Sequence, residues 1–470
     1  MANGGWLVTP SSMQKIRSGP LAALLLGSIL TPSLSFAAPA AGSGAIRESA
    51  LKDDVAWDFT EGLTTEVGPR PAGTPQEARA RDWAVAKLKA LGFSNVRAES
   101  YTMPVWVRGR DEARILSPFP QTLVLAALGN SGSTSDKGLE GEVVYFQNIA
   151  DLEAAPDASL KGKIAFVDHG MKATQDGSSY GYFGAARRQG PSIASKKGAI
   201  AILIRSIGTD HHRVPHTGVQ MWAEGATPIP AAALSVPDAE QLARVVKRGQ
   251  PVTLHLTLTS RMLKDQPSGN VVAEIPGSDP SAGLVVAACH LDSWDQGTGA
   301  IDDATGCAIA AASALQVAKA GQPRRTIRVL MAGAEEVGGD GARAYYKAHG
   351  SEKHALAIES DFGADRIWRV DFKLPKGHEA LSRRIAQALA PLGVGAGTQE
   401  AGGGADIAPL VKAGVPVIDL QQDGTRYFDL HHTPDDTLDK VDPEQLRQNV
   451  AAWSVTLDLV ANASETLSAN

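Results

Sequence analysis

At 470 residues the chain is long for a single domain, and two or three folded units are expected. A formal charge of −6 provides no basic field for nucleic acid, and 43% hydrophobic with 20% charged residues is an ordinary globular balance. Two cysteines exclude both a disulfide scaffold and a cysteine-rich metal site.

Residues 1–37 read as an export signal. Lys15 and Arg17 precede an apolar run from Leu21 to Leu34, and Ser35-Phe36-Ala37 supplies small residues around a cleavage point. A membrane anchor fits less well, because Thr31, Pro32 and Ser33 interrupt the run. The mature protein is therefore expected to be exported, to the periplasm or the medium, with no membrane attachment.

After the Pro/Ala/Gly/Ser stretch 37–44, residues 45–66 read as a helical opening. Ala80, Trp83, Ala84, Leu88 and Leu91 recur at helical spacing over 75–91. Strand-like runs follow at Val96–Tyr101, Ala113–Leu116 and Thr122–Leu128. The turn-rich 129–138 marks a boundary, so 45–137 is expected to be the first part of one domain and 138–262 a separate unit. That unit carries β runs at 143–146, 164–167, 198–204 and 252–258, with helices at 192–197 and 239–246. From 263 to 470 strands and helices alternate. Strands are expected at Val271–Ile275, Leu284–Cys289, Thr326–Met331, Ala355–Ile358 and Val415–Leu420. Helices are expected at Ala304–Ala320, Ala342–His349, His378–Leu392 and Pro443–Ala463. This alternation predicts a three-layer α/β core with a largely parallel sheet.

Chemistry-bearing residues follow these strands. His290 and Asp292 come after the second, Glu335 and Glu336 after the third, and Asp361 after the fourth. Open α/β sheets build sites beyond the carboxyl ends of their strands, so these side chains should converge. Imidazole with carboxylate suits zinc. Two such ions must share a carboxylate with both oxygens free, and Asp302 fits, in a glycine-rich loop that opens a helix. Asp292, two residues past His290, is better placed to hold that imidazole through its second nitrogen than to bind metal. Of the neighbours Glu335 and Glu336, one can bind metal while the other takes a proton from water. Asp303 also reads as a cap for the helix from Ala304. Cys289 and Cys307 flank this motif; two buried thiols and a bridge are equally compatible with it.

The segments His290-Leu-Asp-Ser-Trp-Asp, Gly299-Ala-Ile-Asp-Asp, Ala334-Glu-Glu-Val-Gly-Gly, Glu359-Ser-Asp and His431-His-Thr-Pro-Asp-Asp-Thr resemble the co-catalytic zinc exopeptidases. Gly68-Pro-Arg-Pro-Ala-Gly, Pro215-His-Thr-Gly and Tyr427-Phe extend the resemblance to the carboxypeptidase Q group of that family. The resemblance implies two zinc ions per chain. His290 and Asp361 would hold one, Glu336 and His432 the other, with Asp302 between them. It further implies Glu335 as general base, Asp292 as support for His290, a protease-associated insert of β-rich α+β type at 138–262, a peptide substrate and a homodimer. His431 and Tyr427 are expected to face the oxyanion, and Arg426 to meet a substrate carboxylate. His211, His212 and His216 are expected to line the cleft at most. One departure stands out: Gly402-Gly-Gly-Ala-Asp406 is followed by Ile407, where many relatives carry histidine. An aminopeptidase is the alternative within the family. A glutaminyl cyclase would use one zinc, and a receptor-like module would have lost ligands that stand complete here.

Overall fold

The computed structural model describes residues 41–467. The expected export signal at 1–37 lies outside the described residues. Among these, no helix is long and apolar enough to cross a membrane.

Two eight-stranded sheets organise the chain. The first runs in the order Ser94–Val107, Arg261–Ile275, Thr326–Ala332, Leu284–His290, His354–Glu359, Val417–Gln422, Ile367–Lys373, Gly395–Ala396. Its centre is parallel: Leu284–His290 lies between Thr326–Ala332 and His354–Glu359, which in turn pairs with Val417–Gln422. Antiparallel pairs flank this centre on both sides, so the sheet is mixed rather than largely parallel. The central strands are buried on both faces and read as continuous apolar runs, as parallel strands under two helical layers must.

One face carries the helices Ala41–Ala50, Val55–Gly62, Thr305–Ala320, Glu379–Leu389 and Pro443–Ala461 over one large core. Thr305–Ala320 is apolar nearly all round, which suits a helix wedged between the sheet and Pro443–Ala461. Its alanines let backbones approach closely, while Trp453, fully buried, fills the space on the other helix. The opposite face packs Tyr345, Ile407 and Leu410 on the sheet. The result is the three-layer α/β architecture.

The second sheet runs in the order Gln121–Leu123, Asp111–Ser117, Thr253–Leu258, Leu139–Phe146, Ile164–Val167, Ala201–Arg205, Ala231–Leu234, Leu125–Ala127. It takes strands from Asp111 onward, upstream of the boundary expected at 138, because Asp111–Ser117 finds its partner in Thr253–Leu258. Helices follow three of its four parallel strands, giving it an α/β rather than β-rich character. Ser94–Val107 and Arg261–Ile275 pair along almost their full lengths and lead the chain from the first sheet to the second.

Candidate active site

The predicted residues do converge at the carboxyl ends of the four parallel central strands. His290 ends its strand. The chain then passes through Gly299, at φ +60°, into a turn that carries Asp302. Glu335 and Glu336 follow Thr326–Ala332 after Ala334, whose φ of +60° reverses the chain. Asp361 follows His354–Glu359. His431 and His432 follow the short helix Tyr427–Leu430, and His432 also has a positive φ, +57°. Two non-glycine residues in the left-handed region at one site are an observed strain that the surrounding packing holds.

Two groups of ligand-type atoms form, each drawn together within 4.8 Å: His290, Asp302 and Asp361, and Asp302, Glu336 and His432. Asp302 belongs to both. Its Oδ1 is 2.9 Å from His290 Nε2, which lies 3.3 Å from Asp361 Oδ1. Its Oδ2 is 3.3 Å from His432 Nε2, and that nitrogen is 2.6 Å from Glu336 Oε2. Asp302 Oδ2 and Glu336 Oε1 are buried without a properly aligned hydrogen-bond donor. Buried carboxylate oxygens left this way, beside imidazoles, are what a divalent cation would satisfy.

Protonation follows from crowding. Burial alone would lower the His290 and His432 pKa values. For His290, Asp361, Asp292 and Asp302 outweigh burial, and for His432, Glu336 and Asp302 do so, so both imidazoles are held well above their ordinary value. Burial raises Glu336 to about 7 and Glu335 well above the usual carboxylate range. Burial also pushes the Tyr427 phenol up, reinforced by Asp302 and Asp361, so it keeps its proton.

Asp292 departs from expectation in one detail. Its backbone carbonyl, not its carboxylate, is the 2.9 Å partner of His290 Nδ1, and the carboxylate stands 3.7 Å away. Oδ1 instead accepts the Glu335 N–H at 3.1 Å and so ties the two loops together. Asp303 accepts from His290 N and Gly306 N, joining strand end to helix start and capping the helix. Cys289 and Cys307 are disulfide-bonded across the same junction.

His431 joins the cluster, with Nε2 3.3 Å from Asp302 Oδ2 and its ring stacked on His432. Tyr427 packs beside His431. Arg426 does not face the cluster: its Nε and Nη2 bind Asp365 at 2.7 and 2.6 Å, and Nη2 also donates to the Lys440 carbonyl. His211 and His212 are exposed, whereas His216 is buried against His431, with Nδ1 2.8 Å from the His431 carbonyl.

Several functional residues were not marked by sequence reasoning. Arg70, fully buried, donates to the carbonyls of Leu291 at 2.5 Å, Thr298 at 2.7 Å and Gly299 at 2.9 Å. Asp436 Oδ1 accepts from both Ala300 N and Ile301 N at 2.8 Å. Together they clamp the loop that presents Asp302. Both lie inside segments that carry the family resemblance, Gly-Pro-Arg-Pro and His-His-Thr-Pro-Asp-Asp, and that context was the available signal. Trp294 stacks on His432 and donates to Thr217 Oγ1 at 2.6 Å. Beside Glu336 opens a pocket of about 70 Å³ walled by Pro71, Ala72, Trp106, Trp294 and Val337.

Comparison with known proteins identifies the family. The model of peptidase family M28 matches residues 270–457. Carboxypeptidase Q of Bos taurus is 34% identical over 411 residues, covering 86% of this chain and 85% of that protein. A crystal structure of a peptidase M28 precursor from Shewanella amazonensis SB2B is 45% identical, covers 90% of this chain and 97% of its own, and superposes with a TM-score of 0.88. A zinc aminopeptidase from Bacillus subtilis, 20% identical with coverage of 88% and 98%, shares the fold at a TM-score of 0.64. The chain belongs to peptidase family M28 and, with it, to the zinc-dependent exopeptidases. Within that family it is similar to carboxypeptidase Q over nearly its whole described length.

Proposed function

We propose that the protein is an exported dipeptidase of the carboxypeptidase Q kind, working with two zinc ions. The observation that carries this reading is Asp302, shared between two ligand clusters with one buried oxygen toward each. His290 and Asp361 would hold one ion, and Glu336 and His432 the other. The imidazole and carboxylate donors suit zinc, and the orphaned oxygens of Asp302 and Glu336 fit its demand for ligands. When bound, the paired ions supply Lewis acidity and lower the pKa of water between them.

The protein's own groups do the rest. Glu335, half-buried beside the cluster, takes the proton from the attacking water and returns it to the leaving amine. The Asp292 bond to its backbone N–H fixes where that carboxylate stands. Tyr427, kept protonated and packed beside His431, and His431 itself are the donors assigned to the developing oxyanion. Asp292, through its carbonyl, sets the tautomer of His290. The second sheet corresponds to the protease-associated insert of the resemblance and closes the cleft from the His216 side.

Glu335→Gln tests the reading. The variant is expected to keep its zinc and lose at least ~10³-fold in kcat. Near-normal turnover would remove Glu335 from the reaction. Zinc counted at one ion per chain would favour a cyclase. A dipeptide panel with either end blocked separates the dipeptidase from an aminopeptidase, which would tolerate a blocked C-terminus.

A further inference from the structure

Arg187 lies in the short helix Ala185–Arg188, beside the second sheet, and is only 6% exposed. Nη1 donates to the Thr217 carbonyl at 2.7 Å and stands 3.4 Å from His216 Nε2. Its guanidinium carbon sits 5.3 Å from the centre of the Tyr180 ring. Nε is buried without any hydrogen-bond partner, and among the described residues no carboxylate pairs with this side chain.

That vacancy on the Nε edge is specific. The Nε and Nη2 edge of a guanidinium is the one that grips both oxygens of a carboxylate. Arg108 uses it on Asp295, Arg213 on Asp238 and Arg426 on Asp365. In Arg187 the Nε of that edge is buried and unfilled. A desolvated cation without a counter-charge is costly, so the fold keeps it there against a stability cost. Arg70, equally buried, is by contrast saturated by backbone carbonyls.

Its location points to the occupant. A side chain at Gly218, where φ is +126°, would come within 2.1 Å of Arg187 Nη1 and 2.7 Å of His432 Nδ1. The guanidinium is therefore separated from a cluster imidazole by one bare glycine. His216 and His431 pack against each other as rings beside it, and Tyr180 stacks on Phe428. So short a separation suits one residue between the bond to be cut and an anionic chain end.

We propose that Arg187 is the residue that receives the α-carboxylate of the substrate, one residue past the scissile bond. This rests on the dipeptidase reading of the neighbouring cluster and names the residue that meets the free C-terminus which that reading requires. Arg187 binds substrate; it moves no proton.

The test uses the mature zinc-loaded protein, with Ala-Leu, Ala-Leu amide and N-acetyl-Ala-Leu as substrates. Wild type should lose roughly 100-fold in kcat/KM on C-terminal amidation, the scale of a lost charged two-pronged bond. Arg187→Met should lose a similar factor on Ala-Leu yet match wild type on the amide, at unchanged zinc per chain. Arg187→Lys should recover part of the loss. A second readout is calorimetric binding of leucine and leucinamide. Wild type should prefer leucine, and Arg187→Met should bind the two alike. The proposal is overturned if wild type treats acid and amide equally, or if the amide penalty survives in Arg187→Met. Should no dipeptide be cleaved by wild type, the hydrolytic reading fails on its own, while a leucine preference that depends on Arg187 would still uphold the carboxylate site. Should Arg187→Met fail to fold, Arg187→Lys and the leucine pair decide.

Discussion

Replacing Arg70 with methionine should unhinge the metal loop without touching a ligand. Arg70 holds three carbonyls, of Leu291, Thr298 and Gly299, at 2.5 to 2.9 Å. A fourth, of Gly68, stands at a weak 3.4 Å. Methionine fills much of the volume and donates nothing. Each buried carbonyl stripped of a charged donor costs about 1–3 kcal/mol, and three of them, partly relaxed, suggest about 4 kcal/mol. That is a large share of a total stability on the order of 5–15 kcal/mol. The same loop fixes His290 at one end and Asp302 at the other, so zinc should bind at least ~10-fold more weakly. Arg70→Lys keeps the charge but cannot reach all three carbonyls, and should recover less than half of the loss. Guanidinium unfolding of the zinc-loaded protein, with zinc counted per chain, measures both effects. A loss under about 1 kcal/mol with unchanged zinc affinity would refute the argument that this loop is held by Arg70.

Asp302→Asn should fold, yet hold at most one zinc and lose at least ~10³-fold in activity, because an amide cannot serve both clusters; metal analysis beside a kinetic assay checks this. His290 and His432 have raised pKa values in the metal-free protein, so each carries a proton at neutral pH that an ion must displace. Zinc binding should therefore release protons and tighten as pH rises, which calorimetry in buffers of different ionisation heat detects; a pH-independent affinity would contradict it. Asp210 is buried, and burial lifts its pKa to about 6 despite the His212 N–H bond. Its charged form is therefore penalised in the folded state: the penalty is absent below the ordinary carboxylate value, near pH 4, and full above about pH 6. Asp210→Asn should stabilise the protein by roughly 2 kcal/mol at pH 7 and by almost nothing at pH 4, read from thermal melts.

His290, Glu336 and Asp361 were legible because each closely follows a strand whose apolar run is unmistakable and parallel strands deliver their carboxyl ends to one edge, whereas Asp302 and His432, off the strands, were legible from the motifs around them. Leu284–His290, Thr326–Ala332 and His354–Glu359 each begin and end within a residue or so of expectation. The strand Ile367–Lys373 was not foreseen: Trp368, Arg369 and Asp371 break its apolar alternation, and it exists because Val417–Gln422 offers an antiparallel partner. Arg426 looked placed for substrate from its closeness to His432 in sequence, but Asp365, some sixty residues away, claims it. Arg187 was invisible as a site residue, and of the three histidines expected to line the cleft nothing local singled out His216. Their roles depend on where the second sheet meets the first, and no local pattern encodes that. The cysteine pair was undecidable for the same reason, since bonding depends on how closely a strand end meets a helix start.

The long ribbon formed by Ser94–Val107 and Arg261–Ile275 has a mechanical consequence. Because the two halves of the cleft share continuous backbone pairing, the lobe bearing Gly218 and the lobe bearing Asp302 are braced against each other like arms of one bracket. Alternation along such a ribbon has period two, so adding a single amino acid to one strand would invert every side chain beyond it. Evolutionary or engineered retuning of peptide choice should therefore spare this brace and fall on the loops it supports.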